Sequence, residues 1–98
     1  MPGKSFIARL RARPEKRDEL IALQAELKQL VFEQEPGAIV YELFQADDDP
    51  DLFEVVATFR DDAAFETHMQ IDFHDRLVPP IIACLAEDMT IRFYRSLP

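Results

Sequence analysis

The chain has 98 residues, nearly half of them apolar, enough for one modest core but not two, so residues 1–98 are predicted to form a single domain. A formal net charge of −8 argues against a nucleic-acid partner, because neutralising phosphates requires a basic face. One cysteine, Cys84, rules out an intrachain disulfide, MPGKSFIARL lacks the apolar run of a signal peptide, and no window is long enough to span a membrane; the expectation is a cytoplasmic protein.

The first element is a strand whose residues alternate. Phe6, Ala8, Leu10 and Ala12 share one side, while Ile7, Arg9 and Arg11 share the other. Pro14 then suits a first helical position, and Leu20, Leu23, Leu27, Leu30 and Val31 recur at three-to-four spacing until Pro36-Gly37 ends the helix. Two more strands follow. Ile39, Tyr41 and Leu43 share the parity of the apolar side, as do Phe53, Val55, Ala57 and Phe59, and the acidic run Asp47-Asp48-Asp49-Pro50-Asp51 joins them as a solvated hairpin turn. That run lacks the glycine and distal glutamate of a calcium loop. Asp61 is placed to cap a second helix carrying Ala64, Phe65, Met69 and Phe73, which Pro79-Pro80 are predicted to kink or split. A last strand holds Met89, Ile91 and Phe93 on its helix-facing side.

The order β-α-β-β-α-β specifies an α+β domain with a four-stranded antiparallel sheet, the ferredoxin-like split βαβ arrangement, in which the first strand lies between the third and fourth. Both helices are needed on one face of that sheet. The other face still carries Ile7, Val40, Phe44, Leu52 and Val56 among Arg9, Glu42, Glu54, Thr58, Arg92 and Tyr94, too apolar for water, so a second copy of the chain is expected to cover it as an isologous homodimer.

Few residues suggest chemistry. His68 and His74 are the only histidines, and on one continuous helix they would lie about 240° apart, unable to share a metal ion. His68 is the candidate acid or base, with Asp72 one turn later to orient it; the plainer alternative is a surface histidine loosely paired with a carboxylate. Tyr41 is the other polar group on the helix-facing side, where a tyrosine ordinarily just satisfies its hydroxyl. Cys84 has no base nearby in sequence and is expected to be a buried structural thiol.

ARLRARPEKRDEL at the start, EPGAIVYEL leading into the second strand, the DDDPDLF turn and FRDDAAFETHMQ opening the second helix together resemble the antibiotic biosynthesis monooxygenase family over essentially the whole chain. The resemblance implies a dimeric α/β barrel, two sheets packed face to face. It also implies a cofactor-free oxygenase with no metal or flavin, in which a water-excluding pocket helps deprotonate a small aromatic, quinol or polyketide-like substrate and the substrate anion reduces dioxygen. On that reading His68 and Tyr41 are the catalytic candidates, and Phe6, Ala8, Ala57, Phe59, Phe73 and Phe93 line the substrate site. The chain departs from the family pattern in places. Ala57 and Phe59 stand where many relatives have a polar residue and a tryptophan, and Phe73-His74 inverts a common His-Phe pair. The haem-degrading branch is set aside, because Ala8, His68 and Val78 stand where it requires asparagine, tryptophan and histidine. A non-catalytic small-molecule-binding dimer and an isomerase of a small metabolite are the alternative functions.

Overall fold

A computed structural model describes residues 3–97. Strand β1 (Lys4–Arg11) leads through a 3-10 turn at Pro14–Lys16 into helix α1 (Arg17–Gln34), and β2 (Ala38–Ala46) and β3 (Asp49–Phe59) form a hairpin. Helices α2 (Asp62–Gln70) and α3 (Asp72–Ala83) precede β4 (Thr90–Arg95). The strands form one antiparallel sheet in the order β2-β3-β1-β4, with β1 between β3 and β4 as expected. This is the ferredoxin-like α+β fold, with the helices on one face.

The alternation seen in the sequence sets the core. Phe6, Ala8 and Leu10 of β1 lie opposite Ala57, Val55 and Phe53 of β3, and all six are buried beneath the helices. Helix α1 buries Leu20, Leu27 and Val31 against this layer. It also buries Gln24, a polar residue in the middle of an apolar stripe.

Three expectations give way to tertiary effects. Ile39 does not face the core and is 59% exposed. Ala38 pairs with Phe59 and Val40 with Thr58, so Ile39 is one extra residue in a bulge and is pushed outward while Ala38 takes the inward place. Next, the second helix does break, but at Ile71 and not at the prolines. Ile71 is extended (φ −79°, ψ 144°) and packs against the core, and the new direction buries Phe73, Leu77 and Ile81. Pro79 and Pro80 stay within α3; the carbonyls they leave without amide partners, those of Asp75 and Arg76, belong to exposed residues that water can satisfy. Finally, Ile91 and Phe93 remain nearly half exposed on β4, an edge strand, although Phe65 of α2 packs edge to face against Phe93 at 5.5 Å.

Capping and close approach fix the helices. Asp61 accepts a hydrogen bond from the Ala64 amide at 2.8 Å, the cap expected for α2. Gly37 sits against the start of that helix, where an added Cβ would lie 2.5 Å from Ala64 Cβ, and its carbonyl accepts a 2.7 Å bond from the Arg60 amide. A side chain here would push α2 away from the end of α1. The hairpin turn is shorter than the acidic run, only Asp47-Asp48; Asp49 and Asp51 belong to β3, where Arg11 reaches Asp49 at 3.0 Å and Arg17 reaches Asp51 at 2.8 Å. On the outer face, Arg9 stands directly across from Glu54 in the β1–β3 register.

Candidate functional site

Pro36 is where the site begins. A residue before proline is driven out of the helical region, and Glu35 adopts φ −122°, ψ 90° at the end of α1 while its amide still bonds the Val31 carbonyl. The turn directs the Glu35 side chain inward, to 4% exposure. There its Oε2 lies 2.9 Å from His68 Nδ1 on α2. His68 is itself 1% exposed, so both partners are sealed from solvent.

This replaces the expected orienting residue. Asp72 lies beyond the break at Ile71 and is exposed, and Glu35, 33 residues before His68 in the chain, holds the ring instead. A carboxylate only accepts hydrogen bonds, so an ionised Glu35 pairs with a protonated Nδ1. The ring is further confined between Phe59, at 4.9 Å between centroids, and Tyr41, at 5.9 Å.

The helix break also brings the two histidines together. Their rings meet edge to face with centroids 4.7 Å apart, which one continuous helix would not allow. Burial holds the His74 imidazole below its ordinary pKa, the nearby His68 adds to this, and Asp75 pulls the other way. Among the described residues no cluster of three or more His, Cys, Asp or Glu is arranged to hold a metal ion.

A cavity of about 200 Å³ lies between sheet and helices. Phe6, Ala8 and Tyr41 form part of its floor, Gln24 enters from α1, His68 from α2 and His74 from α3. Its mouth lies along the β4 edge, where Met69, Ile82, Met89, Ile91 and Phe93 are all exposed. Of the residues expected at a substrate site, Phe6, Ala8 and Phe93 line this cavity together with His68 and Tyr41. Ala57 and Phe59 lie beneath it in the sealed core, and Phe73 points to the other side of α3, into a shallow depression with Leu30 and Ile71. A larger depression of about 450 Å³ near Lys4, Asp61 and Arg95 is open and polar, and none of these catalytic candidates reaches it.

Burial pushes the Tyr41 phenol well above its ordinary value, and the charge of Glu35 adds to the shift. Tyr41 therefore keeps its proton. Cys84 is buried, and its Sγ donates to Glu19 Oε2 at 3.3 Å; burial first and this carboxylate second raise its pKa, so the thiol is a poor nucleophile.

Glu35 and Gln24 are not singled out by the sequence, and His74 is weighed there only as a metal partner of His68 and as an inverted family pair, not as a cavity residue. For Gln24 a signal existed, a polar residue at the core-facing spacing Leu20-Gln24-Leu27-Val31. For Glu35 it was a carboxylate directly before a helix-ending Pro-Gly. For His74 there was none, because its place depends on the break at Ile71.

The chain matches the family model described as antibiotic biosynthesis monooxygenase over residues 5–78, well over half its length. A solved structure described as an antibiotic biosynthesis monooxygenase is 32% identical, covers 97% of this chain and 99% of its own, and superposes with a TM-score of 0.86. A conserved protein from Methanosarcina mazei Go1 shares the fold at a TM-score of 0.92, with 24% identity over 99% of this chain and 95% of that one. A Shewanella oneidensis protein is 27% identical over 97% of this chain and 91% of its own, with a TM-score of 0.85. No curated protein sequence matches the chain.

Two outcomes are expected of the buried groups. Glu35→Ala leaves the His68 Nδ1–H without a partner in a sealed site and should cost about 1–3 kcal/mol of stability by urea unfolding; no measurable loss would mean the pair is dispensable. For His74, whose folded pKa is depressed, the unfolded chain binds the proton more readily. Its stabilisation is therefore complete above the unfolded value of 6.5 and is lost as pH falls through that value toward the folded one. Tm should accordingly drop less between about pH 7 and pH 5.5 in His74→Gln than in the wild type, and equal slopes would contradict the assignment.

Proposed function

The chain belongs to the antibiotic biosynthesis monooxygenase family, and from that membership and the cavity geometry we propose that it is a homodimeric, cofactor-independent monooxygenase of a small single-ring phenol or quinol. The observation that carries the reading is the buried Glu35–His68 pair at the wall of an apolar cavity. An apolar cavity of about 150 Å³ accepts benzene, so about 200 Å³ suits one substituted ring and disfavours a fused polyketide skeleton.

His68 Nε2 accepts the phenolic proton, with Glu35 stabilising the imidazolium that forms. Tyr41 donates a hydrogen bond to the substrate oxygen as negative charge gathers there. The electron-rich anion then reduces dioxygen. For a hydroquinone, one oxygen atom enters the ring to give a hydroxyquinone and the other leaves as water, and the substrate supplies all the electrons, so no external reductant is consumed. The apolar walls limit access of water to the reactive anion.

Oxygen uptake by metal-stripped protein with substituted hydroquinones, corrected for autoxidation, tests this. His68→Ala should lower the saturable rate about 10²–10⁴-fold, and Tyr41→Phe by a smaller factor. Uptake that is unchanged in His68→Ala would remove that residue from the mechanism, and no saturable uptake with any member of the series would remove the oxygenase reading.

The working unit is read as one domain over residues 1–98, acting in the cytoplasm as a dimer joined through the outer sheet face. Phe44 is 56% exposed there, on a face that no element among the described residues covers, with Ile7, Val40 and Val56 only partly buried. Sedimentation equilibrium should give twice the chain mass for the wild type and a shift to monomer for Phe44→Glu; a monomeric wild type would overturn this part of the proposal.

A further inference from the structure

Gln24 is a cavity-lining residue whose placement neither the core nor the chemistry above explains. It occupies a core position of α1, is 6% exposed, and its Oε1 is buried without a hydrogen-bond partner. An apolar residue of the same length would fill this position at lower free energy, since a buried acceptor left unpaired is destabilising. Gln24 and Tyr41 together also line a second hollow of about 150 Å³ beside Lys28 and Leu43, so the two side chains stand between that hollow and the main cavity. The histidines approach the main cavity from α2 and α3, whereas Gln24 approaches from α1.

We propose that Gln24 reads the ligand: its amide, turned about its last bond so that Oε1 faces the cavity, accepts a hydrogen bond from a second hydroxyl of the bound ring, so the cavity selects rings with two hydroxyl donors over monophenols. The inference rests on the cavity being the site for a hydroxylated ring, and it names which such rings are favoured. One hydroxyl meets the His68 side of the cavity and the other satisfies the amide oxygen. A monophenol leaves one of the two ends unmet, and a site built around a buried polar group discriminates strongly against a ligand that cannot pair with it.

Anaerobic calorimetric titration of the full chain with hydroquinone and with phenol tests the proposal without turnover or autoxidation. The wild type should bind hydroquinone tenfold or more tightly than phenol. In Gln24→Met, which keeps length and removes the acceptor, the ratio should fall to one or below, and ligand-free Tm should rise by about 4 °C or more as the unpaired acceptor is lost. Equal affinities in the wild type, the result expected if only water meets Gln24, would overturn the proposal, and that comparison needs no variant. So would failure of both ligands to bind, or an unchanged ratio in Gln24→Met accompanied by a lower Tm, which would mark the residue as structural. Failure of the oxygenase reading looks different: the hydroquinone preference would persist in protein that consumes no oxygen.

Discussion

The buried contact between Glu35 and His68 is the constraint around which the rest of the site is organised. It joins the end of α1 to the body of α2, two helices that otherwise meet the sheet separately, and it fixes the imidazole between Phe59 and Tyr41. Three local features make it possible. Pro36 turns Glu35 out of the helix, Gly37 lets α2 come close, and the Asp61 cap starts α2 so that His68 falls on its inner face.

A polar pair in so apolar a setting has a cost that packing must offset. Glu35 Oε1 and Gln24 Oε1 are both buried without partners, and each such group destabilises by about 1–3 kcal/mol. The stacked and edge-on contacts among Phe6, Phe59, Phe65 and Phe93 add about 0.5–1.5 kcal/mol per pair beyond their burial, enough to compensate in part. The balance is a core that gives up some stability to keep polar groups at the wall of a cavity, the pattern expected of a site and not of a scaffold.

The break at Ile71 shows how a small backbone change creates chemistry. On an unbroken helix His74 would face away from His68. One extended residue re-aims α3, buries Phe73, Leu77 and Ile81, and brings the second imidazole to the first. The sequence pointed to a break but placed it at the prolines, because proline is the strongest local signal; the actual site was chosen by the burial of residues on both sides of Ile71.

What the sequence determined by itself was whatever depends on short-range periodicity and local backbone rules: the element order, the strand order that this order implies, the inward sets on β1 and β3, the Asp61 cap and the helix stop at Pro36-Gly37. It also placed Tyr41 on the helix-facing side, while His68 stayed open between a site residue and a surface histidine. What only the tertiary structure decided was every relation between distant segments: Glu35 and not Asp72 against His68, the meeting of His68 with His74, the outward turn of Ile39 at a bulge, and Gln24 at a cavity wall. The physical reason is that periodicity tells which way a side chain points from its own element, whereas its partner depends on how helices pack across the sheet, and that is settled by the summed burial of the whole core.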